Sequence, residues 1–321
     1  MENINVVMMF NDNYVIPGGV AILSLLKNSD PSYLYSLSIL HNNITDEHQQ
    51  KLKSIVKSFG NAQLKFINMH NRYQEFVLDL DYPKEILYKL CLPSIFKDCD
   101  KVIVTDVDVV FTGDVAQEYI NFTTDEYFAG VKQIEYAYHP PFSTDLSDKN
   151  YHFTVGAGYM IYNLKSMRQD HIEQKCIDFL KKNIAYLKLP NQEVLCQVCY
   201  PKIKLLHPKN MTLTLWYVEK EYTFCYDYTA RKEEIDEALN NPVQLHYVNP
   251  PPHYKYPQKW KKPWTDPFCP KAEIWYYWLA QTPFFEESFR THLHLNEKTV
   301  RKKKKTLKQR LLKIVFPHIK S

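Results

Sequence analysis

Short apolar runs alternate with longer amphipathic segments over residues 1–70 of the chain. Ile4–Phe10, Leu37–Leu40 and Leu64–Ile67 are apolar runs of strand length, and we interpret each as a buried strand. Between them, the segments from Pro17 to Lys27 and from Thr45 to Gly60 carry the start and stop signals of helices. This order of strands and helices predicts a parallel sheet with crossover helices.

The rest of the chain continues the same alternation. Residues 133–152 are polar and aromatic and contain proline, which indicates a loop or lid. The later predicted elements are helices at Glu85–Phe96, Ser166–Lys182, Gln192–Cys199 and Ala272–Ala280, and strands at Val102–Thr105, Tyr159–Tyr162 and Gln244–Tyr247. The pattern predicts an α/β protein with one nucleotide-binding domain, residues 1–290, and a helical basic tail, residues 291–321.

Two carboxylates, Asp106 and Asp108, directly follow the apolar run Val102–Thr105. Ligands of open parallel sheets bind beyond the carboxyl ends of the strands, where two such carboxylates can converge on one hard cation. That cation can bridge a diphosphate and neutralise it as it leaves. Two other interpretations stay open: a solvated strand end, and a haloacid-dehalogenase-like phosphatase with Asp106 as nucleophile. The phosphatase motif usually lies near the chain start, whereas a nucleotide-binding pattern precedes it here.

Six segments in chain order resemble glycosyltransferase family eight. This family comprises retaining UDP-sugar transferases, including bacterial lipopolysaccharide galactosyl- and glucosyltransferases and glycogenin. The matching segments are Ile4–Tyr14, Leu90–Gly113, Val155–Leu164, Asn191–Leu195, His246–Tyr247 with Lys262–Trp264, and Ala272–Glu287. The resemblance covers roughly residues 4–290. It implies a GT-A fold, a mainly parallel sheet flanked by helices, and retention of the anomeric configuration.

The resemblance also implies a metal site. Asp106, Asp108 and His246 match the positions that hold the cation, and Mn²⁺ is the implied cofactor, with Mg²⁺ as the alternative. Mixed carboxylate and imidazole ligands are chemically consistent with Mn²⁺. A lone histidine at a strand end is more often structural, so the role of His246 depends on its place in the ordered set of matches.

The donor-binding residues are likewise implied by the resemblance. Asn13 and Tyr14 face the uridine, Asp106 contacts the ribose, and Lys262 pairs with the diphosphate. Gln192 lies against the reacting face of the sugar, and Asn191 holds sugar hydroxyls. The full set implied for the donor is Met9, Asn11, Asn13, Tyr14, Lys89, Asp106, Val107, Ala157 and Lys262.

Four positions depart from the family pattern. Asn11 stands where the family often has Asp, and Lys89 stands where an Arg is expected, so a bidentate contact is lost. Gly156 replaces a common Asn and Asn191 a common Asp, both in the sugar site. These departures leave the donor hexose open between glucose and galactose.

A retaining mechanism without a protein nucleophile fits this set. Gln192 occupies the position below the sugar where a retaining glycosidase has a carboxylate, and an amide is a poor nucleophile. The resemblance therefore implies front-face displacement, in which UDP departs and its own phosphate oxygen takes the proton of the acceptor. The implied reaction moves a hexose from a UDP-sugar to a glycan or glycolipid, in the synthesis of a bacterial surface polysaccharide. A non-catalytic sugar-nucleotide-binding protein is the remaining alternative.

Charge is divided unevenly along the chain. Residues 298–321, within the tail, hold ten of the 40 Lys and Arg residues and none of the 36 Asp and Glu residues, so this segment carries +10 and the rest of the chain −6. An acidic body argues against nucleic-acid binding. Leu307, Leu311, Ile314 and Val315 follow helical spacing beside the lysines, which predicts an amphipathic helix on an anionic membrane, with a disordered tail as the alternative.

Cysteine usage and the start of the chain bear on location. Seven cysteines without framework spacing are typical of a reducing compartment, and the first residues do not have the pattern of a signal peptide. We therefore expect a cytoplasmic protein, peripheral at the inner face of the plasma membrane.

Overall fold

The structure is a computed structural model that describes residues 2–70, 72–76, 83–135, 153–187, 189–218, 228–249 and 260–290 of the 321. The predicted tail helix in 291–321 lies outside the described residues. So do residues 136–152 of the predicted lid and residues 250–259 before Lys262.

Ten strands form two sheets within the described residues. Their bounds are β1 Asn3–Met9, β2 Leu34–His41, β3 Ala62–Asn68, β4 Lys101–Thr105, β5 Val109–Phe111, β6 Phe128–Glu135, β7 Phe153–Asn163, β8 Ile203–Leu205, β9 Thr212–Leu213 and β10 Gln244–His246. The large sheet has the order β3-β2-β1-β4-β7-β6-β8, and the small one has the order β5-β10-β9. The first four strands of the large sheet are parallel, whereas β7 runs antiparallel to both β4 and β6.

Nine α-helices are described. Their bounds are α1 Val15–Lys27, α2 Asp46–Lys57, α3 Leu92–Ile95, α4 Ala116–Asn121, α5 Leu164–Gln169, α6 Ile172–Asn183, α7 Pro190–Cys199, α8 Tyr228–Asn240 and α9 Ala272–Leu279. Thr45 caps α2 as predicted, because its side chain accepts a hydrogen bond from the backbone N–H of His48. The helix ends at Lys57, three residues before Gly60.

Three local predictions were wrong in detail. Glu85–Phe96 is not one helix: a 3-10 helix at Lys84–Leu90 precedes α3, and Pro93 in the first turn of α3 donates no backbone hydrogen bond. The predicted helix Ser166–Lys182 is divided between α5 and α6 by His171, whose φ of 54° is left-handed. Residues 133–135 continue β6 rather than starting a loop.

The central strands of the large sheet are buried on both faces. Val6 and Met8 of β1 belong to one core cluster and Val7 to the other, and β4 divides Ile103 from Val104 in the same way. Alternate side chains point to opposite faces of a strand, so strands covered on both sides read as continuous apolar runs. This explains why β1 and β4 were recognisable as uninterrupted hydrophobic segments.

The C-terminal part of the described chain packs against the first crossover helix. Phe284 is fully buried in the core cluster, and a Cβ on Gly19 of α1 would lie 2.7 Å from its ring. The close approach of α1 to this segment therefore depends on the absence of a side chain at position 19. Among the described residues, no helix combines the length and the apolar character needed to cross a membrane.

Candidate metal and nucleotide site

Strand pairing brings His246 next to the two carboxylates. Asp106 follows the last residue of β4, and Asp108 precedes β5. β10 pairs antiparallel with β5 so that His246 lies opposite Val109, and the backbone N–H of Tyr247 donates to the Asp108 carbonyl at 2.9 Å. Residues distant in sequence thus converge where the large sheet meets the small one.

The side chains of Asp106, Asp108 and His246, which we call the metal cluster, have a geometry that can accept one cation. His246 Nε2 lies 3.2 Å from Asp108 Oδ1 and 3.9 Å from Asp106 Oδ2. One ligand atom from each residue lies within 4.8 Å of the other two. Two carboxylate oxygens and one imidazole nitrogen, half-buried or buried, therefore fit a divalent metal such as Mn²⁺.

Two lysines neutralise the same carboxylates from the other side. Lys89 Nζ donates to Asp106 Oδ1 at 2.5 Å and to the Ala157 carbonyl at 2.8 Å, and Lys89 is only 2% exposed. Lys262 Nζ donates to Asp108 Oδ2 at 2.6 Å and to the Tyr247 carbonyl. Each aspartate thus contacts a lysine with one oxygen and faces His246 with the other.

These neighbours set the protonation of Asp108. Burial by itself raises the pKa of this carboxyl group, but the charges and hydrogen bonds of Lys262 and His246 outweigh it and hold the pKa far below its usual range. Asp108 is therefore ionised, as a carboxylate metal ligand must be.

Gly158 and Gln244 form the support behind the metal cluster. The Gly158 carbonyl accepts hydrogen bonds from the Asp106 N–H at 3.3 Å, the Thr105 hydroxyl at 3.0 Å and the Gln244 amide at 3.1 Å. A Cβ on Gly158 would lie 2.4 Å from His246 Nδ1, so only glycine leaves room for the imidazole. The role of Gln244 was not predicted from the sequence, where its signal was a polar residue in a short apolar strand.

The turn after β1 holds the residues expected to meet the nucleotide. Asn11 caps the 3-10 turn Asp12–Tyr14 by accepting the Asn13 N–H at 3.1 Å. The Tyr14 ring packs edge-on against Trp264, with ring centres 6.0 Å apart. Burial raises the pKa of the Tyr14 phenol, and the charges of Asp108, Asp106 and Glu85 raise it further against the opposing effect of Lys262. The phenol therefore lies within the electrostatic field of the metal cluster.

The sequence of the chain is similar to the sequences of known glycosyltransferases. The model of glycosyl transferase family 8 matches residues 5–266. The chain belongs to this family. It is similar to general stress protein A of Bacillus subtilis, with 23% identity over 263 residues, covering 77% of this chain and 85% of the relative.

Two solved structures show the same fold as this family 8 chain. The galactosyltransferase LgtC, solved with donor and acceptor sugar analogues, superimposes with a TM-score of 0.69 at 17% identity, covering 87% of this chain and 96% of LgtC. The bifunctional glycosyltransferase WbbM gives a TM-score of 0.71 at 18% identity, and 90% of this chain matches 51% of WbbM. The chain thus spans about half of WbbM. The predicted GT-A fold and the family resemblance are confirmed. Membership of this family favours the glycosyltransferase interpretation of Asp106 over the phosphatase interpretation.

The two residues expected at the sugar site lie in the first turn of α7. Asn191 is buried, and Gln192 has a buried Oε1 with no hydrogen-bond partner among the described residues. α7 packs against β7 and against the 3-10 helix that carries Lys89. In the described part of the chain, no hydrogen bond joins Asn191 or Gln192 to the metal cluster.

Three other residues expected to contact the donor are described by the structure. Ala157 takes part in the cluster through its carbonyl, which holds Lys89. Val107 has its side chain in the hydrophobic core, so only its backbone is available to a ligand. Met9 is half-buried at the end of β1 and packs against the other core cluster.

Proposed function

We propose that this family 8 glycosyltransferase moves glucose or galactose from a UDP-sugar to a glycan or glycolipid, with retention of the anomeric configuration. The observation that carries the proposal is the cluster of Asp106, Asp108 and His246 at the carboxyl end of β4, with a lysine on each carboxylate. Such a cluster suits an anionic leaving group held through a cation.

Asp106, Asp108 and His246 would hold Mn²⁺, or Mg²⁺ in its place. The cation would supply charge neutralisation for the diphosphate as the sugar–oxygen bond breaks. The buried Lys89 positions Asp106 by fixing one of its oxygens, and we assign it this role rather than direct contact with the donor. Lys262 is less buried, and its ammonium can turn from Asp108 to a diphosphate oxygen as a point charge.

The turn after β1 would bind the nucleoside. Tyr14 offers a half-buried ring held by Trp264, and Asn13 is exposed beside it. Asp106 would contact the ribose. Met9, Asn11, Val107 and Ala157 complete the proposed donor surface.

Gln192 and Asn191 would face the transferred sugar. The buried Oε1 of Gln192, which has no hydrogen-bond partner in the described part of the chain, is an acceptor that a sugar hydroxyl can satisfy. Because an amide does not act as the nucleophile, the acceptor oxygen attacks on the face that the UDP leaves, and the departing phosphate oxygen takes the acceptor proton. The protein contributes positioning and electrostatic stabilisation.

The uneven distribution of charge along the chain supports a proposal about the acceptor and the place of action. We propose that residues 1–290 act as one catalytic domain and that the basic segment 291–321 binds an anionic membrane. A lipid-linked acceptor at the cytoplasmic face of the plasma membrane would then meet the enzyme there, in the synthesis of a bacterial surface polysaccharide. Nucleic acid is not an expected partner.

A donor screen tests the proposal. UDP-glucose, UDP-galactose and other nucleotide sugars are incubated with the protein in Mn²⁺, in Mg²⁺ or in EDTA, and release of nucleoside diphosphate is measured. We expect metal-dependent hydrolysis of a UDP-hexose, lost in D108N and kept in D98N, whose exposed aspartate precedes β4. Release from no nucleotide sugar with any metal would contradict the proposal, and equal activity of D108N would contradict the metal site.

A further inference from the structure

A buried carboxylate outside the metal cluster lies beside the turn after β1, where the nucleoside is proposed to bind. Glu85 is only 8% exposed, and its Oε1 accepts a hydrogen bond from Asn11 Nδ2 at 3.3 Å. Among the described residues, Glu85 makes no ion pair and has no other hydrogen bond. A carboxylate removed from water with one neutral donor is costly unless a further donor reaches it. The position therefore favours a ligand that brings an N–H group.

The orientation of Asn11 is fixed by its two partners. Its Oδ1 accepts the Asn13 N–H at 3.1 Å, so its amide nitrogen points to Glu85. An aspartate at position 11 has no donor for Glu85 and would set two carboxylates face to face. Asn11, which departs from the family pattern, and Glu85 therefore form one pair of hydrogen-bond donor and acceptor.

Glu85 and Lys89 belong to the same 3-10 helix, Lys84–Leu90, and reach the ends of adjacent strands. Lys89 contacts Asp106 after β4, and Glu85 contacts Asn11 after β1. Four residues of a 3-10 helix span about 8 Å. This distance leaves room for a ribose between the Lys89–Asp106 contact and the Glu85–Asn11 contact. A donor whose diphosphate lies at the metal cluster thus extends its base along this helix toward Asn11 and Glu85.

We propose that Glu85, oriented by Asn11, selects the base of the donor by accepting the N3–H of uracil. The inference rests on the proposed UDP-sugar donor and adds the residue that recognises its base. A carboxylate only accepts hydrogen bonds, and uracil carries a hydrogen at N3 where cytosine has a lone pair. The second hydrogen of the Asn11 amide donates to uracil O4, where cytosine has an amino group. Cytosine thus mismatches both side chains.

The test compares nucleotide binding and base preference. Calorimetry in Mn²⁺ measures UDP, N3-methyl-UDP and CDP binding to the wild type, to E85Q and to a control, E75Q, whose exposed carboxylate makes no described contact. We expect the wild type to prefer UDP over both other ligands by tenfold or more. A hydrogen bond to a charged group predicts that E85Q lowers UDP affinity by about tenfold to a hundredfold. E85Q should also narrow the preference for UDP over CDP, since glutamine can donate to cytosine N3.

The outcomes separate this inference from the proposed function. A wild type that hydrolyses a UDP-sugar, with an E85Q variant that keeps the wild-type ratio of UDP to CDP affinity, overturns the inference alone. A wild type that binds no UDP in Mn²⁺ overturns both. If E85Q loses UDP affinity and CDP affinity equally, Glu85 has a structural role, and this result also overturns the inference.

Position 11 gives a second, independent variant. N11D places two acidic groups 3.3 Å apart and should weaken UDP binding, whereas N11D/E85Q restores one donor and one acceptor and should recover part of it. Additive losses in the double variant would show that the two side chains do not act together, and would overturn the proposed pair.

Discussion

Replacing Gly158 with alanine tests whether the position of His246 controls metal binding. The new Cβ would lie 2.4 Å from His246 Nδ1 and 2.5 Å from its Cε1. Ordinary van der Waals contact begins near 3.4 Å, so the ring has to move by about 1 Å. Metal ligands tolerate about 0.2 Å, and a misplacement of about 1 Å in an active site can cost about a hundredfold in rate.

The expected result is a selective loss of function. Mn²⁺-dependent UDP binding, followed by calorimetry, and kcat/KM should each fall by about tenfold to a hundredfold in G158A. Overpacking should lower stability by about 1–3 kcal/mol, and the melting temperature measures this separately. G60A is the matched control, because a Cβ on Gly60 has no atom within 4 Å. Wild-type Mn²⁺ affinity in a folded G158A variant would refute the reasoning.

Three further predictions concern other parts of the chain. Q192A should lower kcat much more than it weakens UDP binding, because the side chain is proposed to meet the sugar in the transition state, and equal losses in both would place it elsewhere. D12A should lower the melting temperature at neutral pH by about 2–4 °C, because Asp12 Oδ1 accepts from the Thr45 N–H at 3.0 Å and contacts His48 Nδ1 at 2.7 Å. Burial by itself raises the pKa of Asp12, but the hydrogen bonds to Thr45 and His48 outweigh burial and lower the pKa below its usual value. The stabilisation by Asp12 is therefore present above the unfolded pKa near 4 and is lost as the pH falls through the folded pKa. A difference in melting temperature that does not change with pH would contradict this. Deletion of residues 299–321 should release the protein from anionic liposomes at low salt while UDP-sugar hydrolysis persists, and a full-length protein that ignores such liposomes would contradict the membrane proposal.

The sequence by itself determined the parts of the protein that depend on neighbours in the chain. The apolar runs of β1 and β4 predicted buried strands, and Thr45 predicted the start of α2, because burial and capping act over a few residues. The same local information placed Asp106 and Asp108 directly after a strand, where ligands bind. Six ordered motifs then indicated the family and with it the GT-A fold.

The local sequence pattern predicted two helices incorrectly where tertiary contacts determine the backbone conformation. The helix expected at Ser166–Lys182 divides at His171, and the helix expected at Glu85–Phe96 begins as a 3-10 helix. In the second case the chain directs Glu85 toward Asn11 and Lys89 toward Asp106, and both contacts are to distant parts of the sequence. Helical propensity alone carries no information about these partners.

Only the tertiary structure decided how the candidate site is assembled. The register of β5 with β10 sets His246 against Asp108, and the absence of a side chain at Gly158 makes room for the imidazole. The lysine on each carboxylate and the amide of Gln244 behind them come from separate segments. A single sequence does not specify strand register between distant segments, because that register is set by packing across the whole sheet.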